Sequence, residues 1–147
     1  MERSTEFKQG KTMSAAIYIA TESPSPADQI AVNGKYFILH IDNISAIGED
    51  HDLKRLDEYI SYTLEETLEF LDESIVSREQ AEQNHVEQWF DPKEGLELIK
   101  KYIDVVKNYH SLSETSKKQC LEDLESYKSV LEVLVKENIR WHFSHDI

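Results

Sequence analysis

Apolar residues recur every three or four positions in the second half of the chain, which is the spacing of an amphipathic helix. The first stripe consists of Leu98, Tyr102, Val105 and Tyr109. The second consists of Leu124, Tyr127, Leu131 and Leu134. These stripes predict helices over residues 92–109 and 114–137. Asp91 and Ser113 directly precede them and are residue types that cap a helix N-terminus, and Pro92 suits the first helical position.

A third helix, over residues 63–76, is predicted to have one acidic side. Thr63 and Glu66 have the spacing of a capping box, in which each side chain accepts a bond from the other residue's backbone amide. The apolar stripe consists of Leu64, Leu68, Leu71 and Ile75. The opposite face consists of Glu65, Glu66, Glu69, Asp72 and Glu73. This arrangement is typical of a surface helix whose polar side lies in solvent.

Residues 33–47 fit two structures. Asn33-Gly34 between apolar runs is typical of a hairpin, and the residues that follow include several with high strand propensity. However, Phe37, Ile41 and Ile44 share one face of a helix, for which Gly48 would be the C′ residue. We favour a helix over residues 35–47, with the hairpin as the alternative.

Both ends of the chain alternate in the manner of strands. Ile17 and Ile19 alternate with Tyr18 and Ala20, and residues 139–147 alternate similarly. The predicted fold class is therefore α+β, mostly helical, with about four helices packed on a small antiparallel sheet formed by the N- and C-terminal strands. Residues 1–12 are expected to be a disordered extension or a cloning remnant, and residues 13–147 to form a single α+β domain.

Negative charge is concentrated in one third of the chain. The net charge is −13, and residues 49–97 contain 16 acidic and 4 basic residues, a balance of −12. Such a surface repels nucleic-acid phosphates and anionic lipid. No apolar run reaches the ~20 residues that a membrane span needs. We therefore expect a basic protein as partner, and neither nucleic acid nor a membrane.

Cysteine and histidine favour neither a metal site nor a cofactor. The single Cys120 excludes an internal disulfide and, with no apolar signal segment near residue 1, predicts a cytoplasmic location. The six histidines are scattered, and His142 and His145 are expected on opposite faces of the terminal strand. Phosphate-binding, dinucleotide-binding and nucleophile-elbow motifs do not occur. We predict no metal, no cofactor and no catalytic residue.

The segment QWFDPKEGL, residues 88–96, fits two roles. Trp89, Asp91 and Glu94 would suit a pocket, since aromatic–carboxylate pockets bind cations and sugars. Alternatively Asp91 and Glu94 cap the following helix, and Trp89 and Phe90 pack back on its first turn as a hydrophobic staple. We favour the cap. Gly95 is unfavourable in a first turn and predicts the close approach of another chain segment.

Three motifs together resemble a family of small bacterial proteins with no assigned activity. They are Val32-Asn33-Gly34-Lys35, Gln88 through Leu96, and Asp146-Ile147, with residues 53–61 as a weaker match. The resemblance implies a first strand, a helix after the VNGK loop, a second helix headed by QWFDPxEGL, and a final helix and strand. It implies no catalytic residue. The bulky KYFILHI segment departs from the family and suggests an additional buried contact, with a second subunit as one candidate.

Three functions are compatible with these patterns. The first is a non-catalytic interaction module, of inhibitor or immunity type, whose acidic 49–97 region meets a basic protein. The second is an enzyme of unknown class with a pocket near Trp89, Asp91 and Glu94. The third is a homo-oligomeric structural protein, for which the expected subunit contact consists of Tyr36, Phe37 and Leu39. We favour the first and lean away from the enzyme.

Overall fold

Strands β1 (Ala16–Thr21) and β2 (Trp141–Asp146) pair antiparallel, so the two ends of the chain form the predicted sheet. Ile17 lies opposite His145, and Thr21 lies opposite Trp141. The structure, a computed structural model, describes residues 15–69, 71 and 77–146. The expectations for residues 1–12, for Ile147 and for the end of the 63–76 helix therefore concern residues outside this description.

Within the described ranges, five helices lie between the strands. They are α1 (Lys35–Glu49), α2 (Leu64–Glu69), α3 (Arg78–Asn84), α4 (Pro92–Lys107) and α5 (Glu114–Glu137). Short 3₁₀ turns occupy Pro26–Gln29 and Leu56–Tyr59. The α+β, mostly helical architecture is thus confirmed. None of the helices in the described ranges combines the length and apolar composition that a bilayer span requires.

Helix α1 forms where the hairpin was the alternative, but it does not end at Gly48. The helix continues through this residue to Glu49, and Gly48 is buried. A Cβ atom at Gly48 would lie 2.0 Å from the Tyr102 hydroxyl oxygen. The expectation that Gly48 serves as the C′ residue is therefore wrong, because this glycine makes room for a ring from α4.

The start of α1 depends on a carboxylate from α5. Gly34 is the N-cap residue, with a φ of 66°, and a Cβ there would lie 2.1 Å from the carbonyl oxygen of Ile17. Glycine has no capping side chain, and buried Asp123 supplies one instead. Its two carboxylate oxygens accept bonds from the amides of Gly34 at 3.0 Å and Phe37 at 3.2 Å.

Helices α2 and α3 are attached differently from the others. The predicted capping box is present, since Thr63 and Glu66 exchange bonds of 2.7 and 3.1 Å. Helix α3 was not predicted, although Ser77 and Gln80 form a second capping box at its start. Neither helix contains a buried residue. They pack on each other and contribute charge rather than core.

Helices α4 and α5 pack along each other and form the core with the sheet. The fully buried side chains of this core include Ile99, Tyr102, Val106, Leu124, Leu131 and Phe143. Strand β2 has backbone partners on both edges. Beyond its pairing with β1, Phe90 and Trp141 exchange bonds of 2.8 and 3.1 Å, and the Ser61 amide donates to Phe143 at 3.0 Å.

Substitution of Asp123 by Asn tests the long-range cap. Burial raises the pKa of the Asp123 carboxyl, although the backbone amides of Phe37 and Gly34 oppose the shift. Asp123→Asn turns one acceptor into a donor facing an amide, so we expect a loss of about 1–3 kcal/mol in the free energy of unfolding at neutral pH.

The pH dependence of this loss follows from the raised pKa. The folded state binds the Asp123 proton more tightly than the unfolded state, so its contribution to stability is greatest below the unfolded pKa and declines as pH rises through the folded pKa. The advantage of the wild type over Asp123→Asn should therefore grow as pH falls, as measured by urea unfolding at several pH values. The neighbouring exposed Glu122→Gln is the control. A wild-type advantage that shrinks on acidification would contradict this account.

Candidate functional site

The first turn of α4 organises the segment 88–96. Asp91 is the N-cap, and its carboxylate accepts a bond from the Lys93 amide at 2.9 Å. Pro92 occupies the first helical position, where its missing amide hydrogen leaves no bond unmade. The indole N–H of Trp141 donates to the Asp91 carbonyl oxygen at 3.2 Å. The cap is thereby joined to strand β2.

Gly95 allows this junction to close. A Cβ at Gly95 would lie 2.5 Å from the Trp141 ring, which confirms the expected close approach of another segment. The predicted hydrophobic staple is wrong. Its partner position, four residues after the Asp91 cap, is Gly95, which has no side chain to pack against. Phe90 packs instead on Tyr59, with ring centres 4.7 Å apart, and Trp89 packs on His142.

Tyr59 links the aromatic cluster to Glu94. Its ring stacks on Trp141 with centroids 5.4 Å apart and an interplanar angle of 6°. Its buried hydroxyl donates to Glu94 Oε2 at 2.6 Å, and burial together with this carboxylate raises the pKa of Tyr59. Glu94 was expected to help cap α4, but its carboxylate is bound by a phenol from a 3₁₀ turn.

A cleft of about 320 Å³ opens beside Glu94. Its polar and aromatic lining consists of Asp52, Lys54, Tyr59, Glu94, Glu97 and Lys101. Lys54 Nζ lies 3.7 Å from Glu94 Oε2 and 5.5 Å from the centre of the Tyr59 ring. Sequence reasoning singled out Glu94 but missed its partners, since nothing local connects residues 54 and 59 with α4.

Trp89 lies in different surroundings from Glu94. Its ring is 4.5 Å from that of His142, which is completely buried. His142 Nε2 lies 2.7 Å from a carboxylate oxygen of Glu87, and Nδ1 lies 2.9 Å from the Phe143 carbonyl oxygen. Both ring nitrogens thus lie within hydrogen-bond distance of an oxygen atom.

The three residues of the expected pocket are therefore separated. Asp91 binds a backbone amide, Trp89 packs on His142, and of the three only Glu94 lines the cleft of the described structure. The Glu87–His142 pair could not be found from sequence, because its members are 55 positions apart and belong to no spacing motif. His145 contacts Tyr62 instead, with 3.2 Å between His145 Nδ1 and the Tyr62 hydroxyl.

The expected acidic face is present in part. Glu65 and Glu69 are exposed on α2, whereas Glu66 is bonded within the capping box. Asp72 and Glu73 lie outside the described residues. Helix α3 adds further acidic residues beside α2, of which Glu82 is paired with Arg78 at 3.7 Å.

The three residues of the expected subunit contact also lie in different surroundings. Phe37 has no exposed surface and meets the Tyr127 ring edge-on at 5.3 Å, so the structure places it in the core and not at a subunit surface. Tyr36 is half-buried beside His40, with ring centroids 4.3 Å apart. Leu39 is 76% exposed. Single exposed leucines are ordinary on monomeric proteins, so this position alone does not indicate an oligomer.

No protein-family model, curated protein or solved structure matches the chain. The resemblance to the family of small bacterial proteins therefore stays a prediction.

Replacement of Gly95 by alanine tests the junction between α4 and β2. The added methyl group would overlap the buried Trp141 ring, and overpacking of this kind outweighs the helix propensity that alanine gains. We expect Gly95→Ala to lower the free energy of unfolding by about 1–3 kcal/mol, measured by urea titration with tryptophan fluorescence.

Lys93→Ala is the matched control for this variant. Lys93 is exposed in the same helical turn, so its loss should change stability by less than about 0.5 kcal/mol. A Gly95→Ala protein as stable as the wild type would show that the ring can move aside.

Proposed function

We propose that the protein is a non-catalytic binding module that holds a basic protein partner through its acidic 49–97 region, as inhibitor and immunity-type proteins do. The observation that carries this proposal is the contrast between acidic residues that the fold uses and acidic residues that it does not use. The two groups can be separated by their contacts.

The first group of acidic residues stabilises the fold. Arg55 forms ion pairs with Asp42 and Glu49, both at 2.6 Å, and with Asp57 at 2.8 Å. This arginine thereby ties α1 to the turn before Tyr59. Further acidic residues are engaged by the cap at Asp91 and by the other contacts described above. Contacts within the fold thus occupy these carboxylates.

The second group lies on α2 and α3. These two helices contain five acidic residues and one basic residue, a net charge of −4. Glu65, Glu69 and Glu79 are exposed, and within the described ranges none of the three has an ion-pair partner. Because the helices bury no residue, core packing does not account for them. Uncompensated charge on a weakly packed unit is a surface suited to a cationic partner.

The two alternatives have less support. An enzyme centred on Trp89, Asp91 and Glu94 would need these side chains to converge on one reacting atom, and they face different surroundings. A homo-oligomer built on Tyr36, Phe37 and Leu39 loses Phe37 to the core and keeps one well-exposed apolar side chain. Neither alternative explains the concentration of negative charge.

Neutralising the exposed glutamates tests the proposal. The variant carries Glu65→Gln, Glu69→Gln and Glu79→Gln, and we expect it to recover a basic protein from cell extract about tenfold less well than the wild type, since each exposed charge pair contributes up to ~1 kcal/mol. Recovery by the wild type should fall as salt is raised. The measurement is affinity capture at low and high salt, followed by mass spectrometry of the captured protein.

The matched control removes three charges elsewhere. Asp104→Asn, Glu132→Gln and Glu137→Gln change exposed residues of α4 and α5 outside the 49–97 region. This control should capture the same protein as the wild type. Equal losses in both triple variants, or no basic protein captured at low salt, would overturn the proposal.

A further inference from the structure

The cleft beside Glu94 already contains a cationic side chain of the protein itself. The Lys54 ammonium group lies 3.7 Å from a carboxylate oxygen of Glu94, and it lies over the Tyr59 ring at 5.5 Å from the ring centre. Its side chain is 62% exposed. A carboxylate and an aromatic face are the two groups that bind organic cations in proteins. The contacts of Lys54 thus indicate that the cleft accepts a cationic group.

The two cation-binding groups are held in place by the core. Tyr59 is fixed by stacking on Trp141 and by contact with Phe90. Its hydroxyl in turn orients Glu94 through the 2.6 Å hydrogen bond to Oε2. Glu94 Oε1 accepts no hydrogen bond from the described residues, so the carboxylate keeps an open acceptor. Preorganised acceptors of this kind bind a ligand without first being ordered.

Lys54 is held more weakly than the groups that bind it. An exposed ion pair with an oxygen–nitrogen distance of 3.7 Å contributes little to stability. If the Lys54 side chain turns into solvent, the cleft is lined by three acidic residues, Asp52, Glu94 and Glu97, and one basic residue, Lys101. The emptied cleft is then negative and is bounded by an aromatic ring.

We propose that this cleft binds an arginine side chain, which replaces Lys54 on Glu94 and Tyr59. The inference rests on the proposed function, because it makes the cleft the place where the basic partner inserts one side chain. Arginine is preferred to lysine because a guanidinium group bonds both oxygens of a carboxylate, whereas an ammonium group is a point charge. A cleft of about 320 Å³ lies at the small end of the range for ligand pockets and suits one side chain.

The test uses N-acetyl-arginine amide as the probe and the full chain as the receptor. Binding is followed by amide chemical shifts in ¹⁵N–¹H NMR spectra. We expect saturable shifts confined to residues 52–59 and 94–101, and weaker binding of N-acetyl-lysine amide. Glu94→Gln should weaken arginine binding about tenfold, because it removes a charge-assisted pair of bonds. Lys54→Ala should strengthen it about threefold, because it removes the competing cation.

Glu97→Gln is the matched control. It removes the same charge from the same helix and cleft, but Glu97 has no hydrogen bond to Tyr59. We expect this variant to change binding by no more than about twofold, as for a screened charge at the rim. Equal effects of Glu94→Gln and Glu97→Gln, or shifts that lie elsewhere, would overturn the proposal. Weaker binding by Lys54→Ala would also overturn it, and that variant leaves Tyr59 and Glu94 unchanged.

Failure here and failure of the proposed function give different results. If the cleft binds no arginine but neutralisation of α2 and α3 still abolishes capture of the basic protein, the interaction module stands and the cleft is not its arginine site. If the cleft binds arginine but neutralisation changes nothing, the site stands and the role of the acidic helices is wrong.

Discussion

The contact between Trp141 and Gly95 is the constraint on which the rest of this structure depends. The indole lies where a side chain at Gly95 would be, and its N–H bonds the carbonyl of the residue that caps α4. Strand β2 and helix α4 are therefore held at one spacing. Tyr59 stacks on the Trp141 ring and orients Glu94. A packing contact in the core thus determines where a carboxylate stands at the surface.

Polar groups near this core are satisfied over long distances along the chain. Asp123 caps α1 from α5, and Glu87, in the segment before α4, binds His142 of β2. Each bond compensates a group that burial would otherwise leave unsatisfied, so these acidic residues belong to the fold. Glu65, Glu69 and Glu79 on α2 and α3 are different, because no ion pair within the described ranges uses their charge. The distinction between used and unused charge supports a binding function better than the total charge does.

Asp91 and Glu94, three residues apart in the candidate site, differ in how well the local sequence predicts their partners. Asp91 could be assigned as a cap from its neighbours alone, since capping involves amides two or three residues away. Glu94 has the same local setting but a different partner, because Tyr59 is brought to it by the stacking on Trp141. Its place in a cleft follows from that distant tyrosine. The spacing of residues 88–96 does not indicate that Glu94 lines a cleft.

The sequence by itself determined the elements whose signals are local. The apolar period and caps predicted α5 at its observed bounds and α4 to within two residues, and alternation predicted both strands. Only the tertiary structure decided the roles of the residues for which these local signals gave the wrong position. Gly48 lies inside a helix because a ring from α4 needs its space, and Phe37 lies in the core because α1 turns that face towards α5. The physical reason is that hydrogen bonds and periodicity within a helix act over a few residues, whereas packing joins residues that chain order leaves far apart.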